Sequence, residues 1–208
     1  MYIPPRFRVE ERTELVRFLN AHPFASIVSA TGTGLTATHL PFLIDEEEDA
    51  IVLRSHLARA NPHWKHFGAG EALVIFQGAD AYISPGWYSQ HPSVPTWDYT
   101  AVHAYGTPQL VEGDGLRETV LRMVKRFEAD EPEEWKPDLP PAYLEGMLKA
   151  IVGVEIRVTR IEGKYKLSQN RSEEEQVQVI HALKRRADGK SREVAEEMER
   201  LLKSDATM

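Results

Sequence analysis

FASIVSATGTGLTATHLPFLIDEEEDAIVLRSH, residues 24–56, decides the fold. FASIVSA (24–30) and LTATHLPFLI (35–44) flank a Thr-Gly-Thr-Gly turn, which reads as a β-hairpin. The acidic run Asp45–Asp49 is a solvated turn into a third strand, AIVLRSH (50–56). Further on, EALVIFQG (71–78) and DAYIS (80–84) predict two strands separated by a tight Gly-Ala turn. TAVHAYGTPQLV (100–111) alternates as a half-buried strand does. AIVGVEIRVTRIEG (150–163) predicts a long strand, continued by another at KYKLSQN (164–170).

Helical periodicity sits between and around these runs. ERTELVRFLNAH (11–22) gathers Leu15, Val16, Phe18 and Leu19 on one face. GLRETVLRMVKRFEAD (115–130) presents Leu116, Val120, Met123, Val124 and Phe127, and a Pro/Glu/Trp connector leads to a further helix at 142–150. From Ser172 the tail is helical, opened by a capping-box pair with Glu175 and broken at Gly189. Strands cluster without alternating with helices, so the class is α+β with an antiparallel barrel or sheet. The domain reading is a body over 1–171 and a helical C-terminal extension over 172–208, packed on the barrel or a dimer partner.

Composition narrows the function classes. The 208 residues are 42% hydrophobic, enough for one domain of generous size, and hold no apolar run near the roughly 18 residues of a membrane span. With 25 Lys and Arg against 32 Asp and Glu the net charge is −7, which argues against nucleic acid as the main partner. No cysteine is present, removing disulfides, thiolate nucleophiles and cysteine-ligated metal sites. The start MYIPPRFRVEERTEL has no apolar signal region, and cytoplasmic residence is the expectation.

Three stretches carry candidate chemistry. In RSHLARANPHWKHF (54–67), Asn61-Pro62 is a helix-start signal. Free N–H groups there, with Ser55, His56, Arg59 and Asn61, suit a phosphate; the plainer reading is a capped helix with a surface arginine. KYKLSQNR (164–171) gathers Lys164, Lys166, Gln169, Asn170 and Arg171 at a strand exit, where amides and cations suit a planar heterocycle, a phosphate, or merely solvent. In YISPGWYSQHPSVPTWDYTAVHAYG (82–106) the seven rings from Trp87 to Tyr105 crowd among prolines that forbid a helix, and such loops usually bind something. His63 and His66 lack a placed third ligand, so no metal site is read. No catalytic triad stands out. Lys184, Arg185, Arg186, Lys190 and Arg192 flank Gly189 loosely like a helix-turn-helix, but Glu193, Glu196, Glu197 and Glu199 load the second helix with repelling charge.

MYIPPRF (1–7), THLPFLID (38–45), HLARANPHWK (56–65), VIFQGADAYISPGWY (74–88), VPTWDYTAVHAYG (94–106) and AIVGVEIRVTRIEGKYKLSQNR (150–171) run in the order found in one family. Through them the chain resembles the PaiB family, the FMN-binding negative transcriptional regulators. The resemblance implies an FMN-binding split β-barrel related to pyridoxamine-phosphate oxidases, with peripheral helices. It also implies a homodimer with FMN near the subunit interface. Carried over by position, Ser55 and Arg59 would hold the FMN phosphate and Asn61 would order the turn, with His56 beside them. Lys166, Gln169 and Arg171 would approach the flavin, and His39 and Trp97 are further candidates near its rings. Chemistry would then belong to the cofactor, with the protein supplying orientation and access. Regulation with indirect or weak DNA contact is the leading expectation. The alternatives are a flavin-dependent oxidoreductase acting on a small molecule and a haem-handling split barrel with His91 or His103 as axial candidates.

Overall fold

The computed structural model describes residues 1–208 apart from 33, 130, 134, 136–138 and 206–208. Thr33 of the expected turn, Asp130 at the end of the expected helix, part of the connector and the tip of the tail therefore lie outside the described residues. In chain order the elements begin with β1 (Arg8–Val9), α1 (Arg12–Ala21), β2 (Phe24–Thr31), β3 (Gly34–Pro41), β4 (Leu43–Glu46) and β5 (Ile51–Ala58). β6 (Ala72–Ile83), β7 (Thr96–Gly106), β8 (Gln109–Val111), α2 (Gly113–Glu128) and α3 (Pro141–Lys149) follow. β9 (Ile151–Arg157), β10 (Arg160–Lys166), α4 (Glu173–Lys184) and α5 (Gly189–Asp205) complete the chain. No helix of the described residues is long and apolar enough to cross a membrane.

The chain forms two compact units, one of Val16–Phe76 with His103–Ile161, the other of Met1–Leu15, Gln77–Val102 and Glu162–Met208. The first unit carries the hairpin expected from residues 24–44. β2 pairs with β3 from Phe24↔Pro41 to Thr31↔Gly34, and with β6 on its other side. Because side chains alternate across a strand, Ala25, Ile27 and Ser29 turn inward opposite Leu40, Thr38 and Thr36. A separate sheet runs β4-β5-β9-β8, all antiparallel. The predicted strand 35–44 is thus two strands. Phe42 interrupts it with its N–H on Pro23 O, and β4 leaves the hairpin to pair with β5. The α2 helix buries Leu116, Thr119 and Met123, so Thr119 belongs to the apolar stripe that periodicity drew without it. Its hydroxyl donates to Gly115 O at 2.9 Å, which makes a buried threonine tolerable.

The expected run 150–163 also breaks. Val158 N–H goes to Ile51 O and Thr159 N–H to Tyr105 O, and β10 starts afresh at Arg160. Conversely, the Gly-Ala turn expected at 78–79 is absent. β6 continues through it for 12 residues. Its buried positions change phase there, from Ala72, Val74 and Phe76 to Ala79, Ala81 and Ile83. A one-residue slip of alternation mimics two strands in sequence, whereas a glycine lets one strand absorb the irregularity.

In the second unit β1 lies on β10 (Arg8↔Lys164), and β10, β7 and β6 follow in order. Tyr165, Leu167 and Ile83 are buried here, with Val179 and Leu183 of α4 and Val194, Ala195 and Met198 of α5. The Ser172 hydroxyl accepts from Glu175 N–H at 3.3 Å, one half of the predicted capping box, while the Glu175 carboxylate accepts instead from Gln90 N–H at 2.9 Å. Gly189 is the first residue of α5 and not its break; the interruption falls at 185–188, where Asp188 accepts from Ser191 N–H at 2.8 Å.

Candidate functional site

Five of the nine sequence candidates fall in the first unit, around the exit of β5. Alternation in β5 points Ser55 inward. It is fully buried and its hydroxyl donates to Pro41 O at 2.6 Å. His56 takes the opposite face, and its buried Nδ1 has no protein partner among the described residues. Burial depresses its pKa, so the ring is neutral. Arg59 is clamped rather than free. Its Nε donates to Lys149 O at 3.0 Å, and Nη2 to Ile151 O at 3.0 Å and to a Glu112 carboxylate at 3.1 Å. Only Nη1 is left without a protein partner among the described residues.

Asn61 caps the next turn, accepting from His63 N–H at 3.0 Å, and its amide donates to Thr38 Oγ1 at 3.1 Å. That hydroxyl lies 2.8 Å from His63 Nδ1. With Thr38 donating to Nδ1 the imidazole hydrogen sits on Nε2; with Nδ1–H donating to Thr38, Nε2 is an acceptor. His63 is fully buried and its Nε2 has no protein partner among the described residues. Burial, then the charge of His66, holds its pKa down. The helix expected after Asn61-Pro62 is a five-residue 3-10 turn, Pro62–His66. It is too short to build a macrodipole, and Asn61 already takes one of its free N–H groups. Among the described residues, what remains for an anion is Arg59 Nη1, joined by the orphan nitrogens of His56 and His63 in the tautomers that place the hydrogen there. His39 stands exposed on β3, ring-stacked on Phe24 at 6.4 Å.

The other four candidates fall in the second unit. Lys166 Nζ donates to Thr96 Oγ1 (2.7 Å), Trp97 O (2.5 Å) and Asp98 Oδ1 (3.1 Å). Asp98 is fully buried and its other oxygen accepts from Ser168 Oγ at 2.6 Å. Burial raises its pKa against the opposing pull of Ser168 and Lys166. Ser168 has φ of 63°, a left-handed turn residue that the Asp98 bond holds in place. Gln169 serves the same turn, with Nε2 on Tyr165 O at 2.6 Å and Oε1 accepting from Leu167 N–H at 2.7 Å. Arg171 stacks over Tyr88, 3.8 Å from its centroid, and Nη1 donates to Ser93 Oγ at 3.2 Å. Its buried Nε has no protein partner among the described residues. Trp97 is exposed, edge-on to Tyr82 at 6.0 Å.

Lys166 and Arg171 share a cleft of about 360 Å³ with Arg6, Tyr88, Thr96 and Asn170. Sequence reasoning did not nominate Arg6, Tyr88 or Thr96, nor Thr38, His63, Asp98 and Ser168. Asp98 left one signal, a lone acid in a strand of rings and small residues. Thr38 left another, as the inward neighbour of His39 in an alternating strand.

Two sheets of antiparallel strands with peripheral helices define the split-barrel class. Solved structures agree on the fold: the FAD and heme binding protein from Mycobacterium smegmatis superimposes with a TM-score of 0.61 at 16% identity, over 82% of this chain and 78% of that one. The flavocytochrome Anf3 from Azotobacter vinelandii gives 0.61 at 14%, over 82% and 75%. In sequence, the family described as "Putative FMN-binding domain" matches residues 1–160. The Bacillus subtilis (strain 168) protein named Protease synthase and sporulation protein PAI 2 is 41% identical over 206 residues, 98% of this chain and 99% of the relative. An uncharacterized Saccharomyces cerevisiae protein is 35% identical over 164 residues, 66% of this chain and 94% of its own. The chain belongs to the PaiB family of FMN-binding proteins, and FMN is its cofactor.

Proposed function

We propose that this protein is a homodimeric FMN-binding negative transcriptional regulator of the PaiB type, acting as a redox or ligand sensor. The observation that carries the reading is the match to the Bacillus subtilis relative, which spans 98% of the chain and so includes the α4–α5 tail. On this reading residues 1–171 are the flavin-binding body and 172–208 its helical extension. DNA contact is indirect or weak: Lys184 bonds Glu199, Lys190 bonds Asp80, and Arg186 lies over Trp87, which leaves few of the tail cations for phosphates.

The donor set fits the cofactor. A phosphate at the β5 exit would meet Arg59 Nη1 and the neutral His56, on a turn ordered by Asn61, with Ser55 bracing the strand below. Arg171, whose Nε is an orphan donor among the described residues, suits a carbonyl edge better than Lys166, whose ammonium is spent on Thr96, Trp97 and Asp98, or Gln169, whose amide closes its own turn. His39 and Trp97 present exposed rings for contact with a planar system. Bound FMN supplies reversible electron acceptance, and the residues around it bind, orient and limit water.

The outer face of the β2–β3 hairpin supports the homodimer. Phe24 and Leu35 are 64% and 79% exposed, and Val28, Ala37 and His39 share their face. An apolar sheet face of this kind is a place for a second copy. FMN-loaded protein is expected to sediment as a dimer; a monomer would refute that part.

Arg59→Ala is the direct test of the phosphate assignment. It is expected to weaken FMN about tenfold or more, the scale of one charge-assisted hydrogen bond. Lys184→Ala leaves affinity unchanged. Because Arg59 also ties Lys149, Ile151 and Glu112, unfolding of both variants without FMN separates lost binding from lost structure. Equal FMN affinities for the two variants would reject the assignment.

A further inference from the structure

A second cleft, of about 470 Å³, lies between β4, the end of α1 and the last turns of α2, and no flavin candidate named above is among its lining residues. Its walls divide by chemistry. Phe42, Leu43 and Ile44 from the β3–β4 passage, with Pro23 and Phe127, make an apolar lining. Arg122, Lys125 and Arg126 line the α2 side, spaced i, i+3, i+4 so that they share one stripe beside the buried Leu116, Thr119 and Met123. Against these three cations the cleft holds one acid, Asp45. That carboxylate is already committed to Arg54 and Arg122. Burial alone would raise its pKa, but the two guanidinium groups outweigh it and hold the pKa low, so Asp45 is ionised at neutral pH. Lys125 is exposed, and no protein partner holds its ammonium among the described residues. Near a helix C-terminus cations are favourable, but that preference does not supply the apolar floor beneath them.

We propose that this cleft is an effector site for a small carboxylate with an apolar body, such as a medium-chain fatty acid or a fused aromatic acid. The volume suits a small ligand, and such sites pair an apolar lining with a few convergent polar groups. The carboxylate sits at Lys125, where the cation excess lies, and the hydrocarbon enters against Phe42, Ile44 and Phe127. In a sensor this would give the chain an input distinct from the flavin.

Calorimetric titration of the FMN-loaded protein with decanoate, 2-naphthoate and decanol tests it. Saturable one-to-one binding is expected for at least one carboxylate, with decanol about tenfold weaker, since it lacks the charge. Lys125→Glu is expected to weaken the carboxylate by about tenfold or more and to leave FMN affinity unchanged. Lys184→Glu, remote from the cleft, should leave the carboxylate unchanged. Ile44→Trp, which fills the apolar side, should abolish carboxylate binding in a protein that still holds FMN. No binding at millimolar carboxylate, equal binding of decanol, indifference to Lys125→Glu, or displacement of bound FMN by the carboxylate would each overturn the proposal.

Discussion

Lys166→Met is expected to cost about 3 kcal/mol of stability at pH 7, because it strands the buried Asp98 carboxylate without its cation. Lys166 is 22% exposed and Asp98 fully buried, so removing the ammonium costs far more than breaking a surface pair. The pH dependence follows from the direction of the Asp98 shift. Burial sets its folded pKa above the unfolded value, so the folded state takes up the proton more readily. Its contribution is fully present below the unfolded pKa and is lost as pH rises through the folded one. Removing Lys166 raises the folded pKa further. The gap between variant and wild type should therefore shrink as pH falls from 7 toward about 4, the ordinary aspartate range. Urea unfolding of both proteins across that range reads the gap directly. Asp98→Asn in the Lys166→Met background should recover part of the loss. A gap that widens toward acid, or no gap at pH 7, would contradict the pairing.

Gly106→Ala is the second large effect, expected at about 3 kcal/mol, the upper end for overpacking a closed site. An added Cβ there would meet Arg157 O at 2.4 Å and Ile156 Cγ2 at 2.7 Å. The first contact is backbone, held by β9 in its pairing with β5, and a strand carbonyl cannot rotate aside as a side chain can. Gly146→Ala makes the control, since nothing stands within 4 Å of its added Cβ and it lies in a helix, where alanine is favoured. Guanidinium unfolding should show the Gly106 variant strongly shifted and the Gly146 variant at or above wild type. Comparable midpoints for Gly106→Ala and wild type would show that β7 can move off β9.

The elements that sequence made legible are those whose pattern is local. The hairpin over 24–41, α1, α2 and the Ser172 cap all follow from periodicity or a single side-chain bond. Where the pattern changes phase, local reading fails: β6 looked like two strands because alternation slips at Gln77–Gly78, and 35–44 looked like one because Phe42 is as apolar as its neighbours. The site was legible as residue types and not as states. Arg59 and Arg171 read alike, as cations near turns, yet Arg59 is clamped by two carbonyls and a carboxylate, while Arg171 lies flat on Tyr88. Gln169 read as a ligand donor, but its amide closes its own turn. Such roles depend on partners up to 92 positions away and have no signature in the stretch itself.

On the proposed reading the flavin is anchored by its phosphate at the β5 exit, and fluorescence titration with FMN and with riboflavin tests this in one measurement. Riboflavin carries the same rings without the phosphate. Two charge-assisted hydrogen bonds to a phosphate are worth about 3 kcal/mol, so FMN is predicted to bind about a hundredfold more tightly. Equal affinity for the two would contradict the anchor and move the cofactor's hold to the rings.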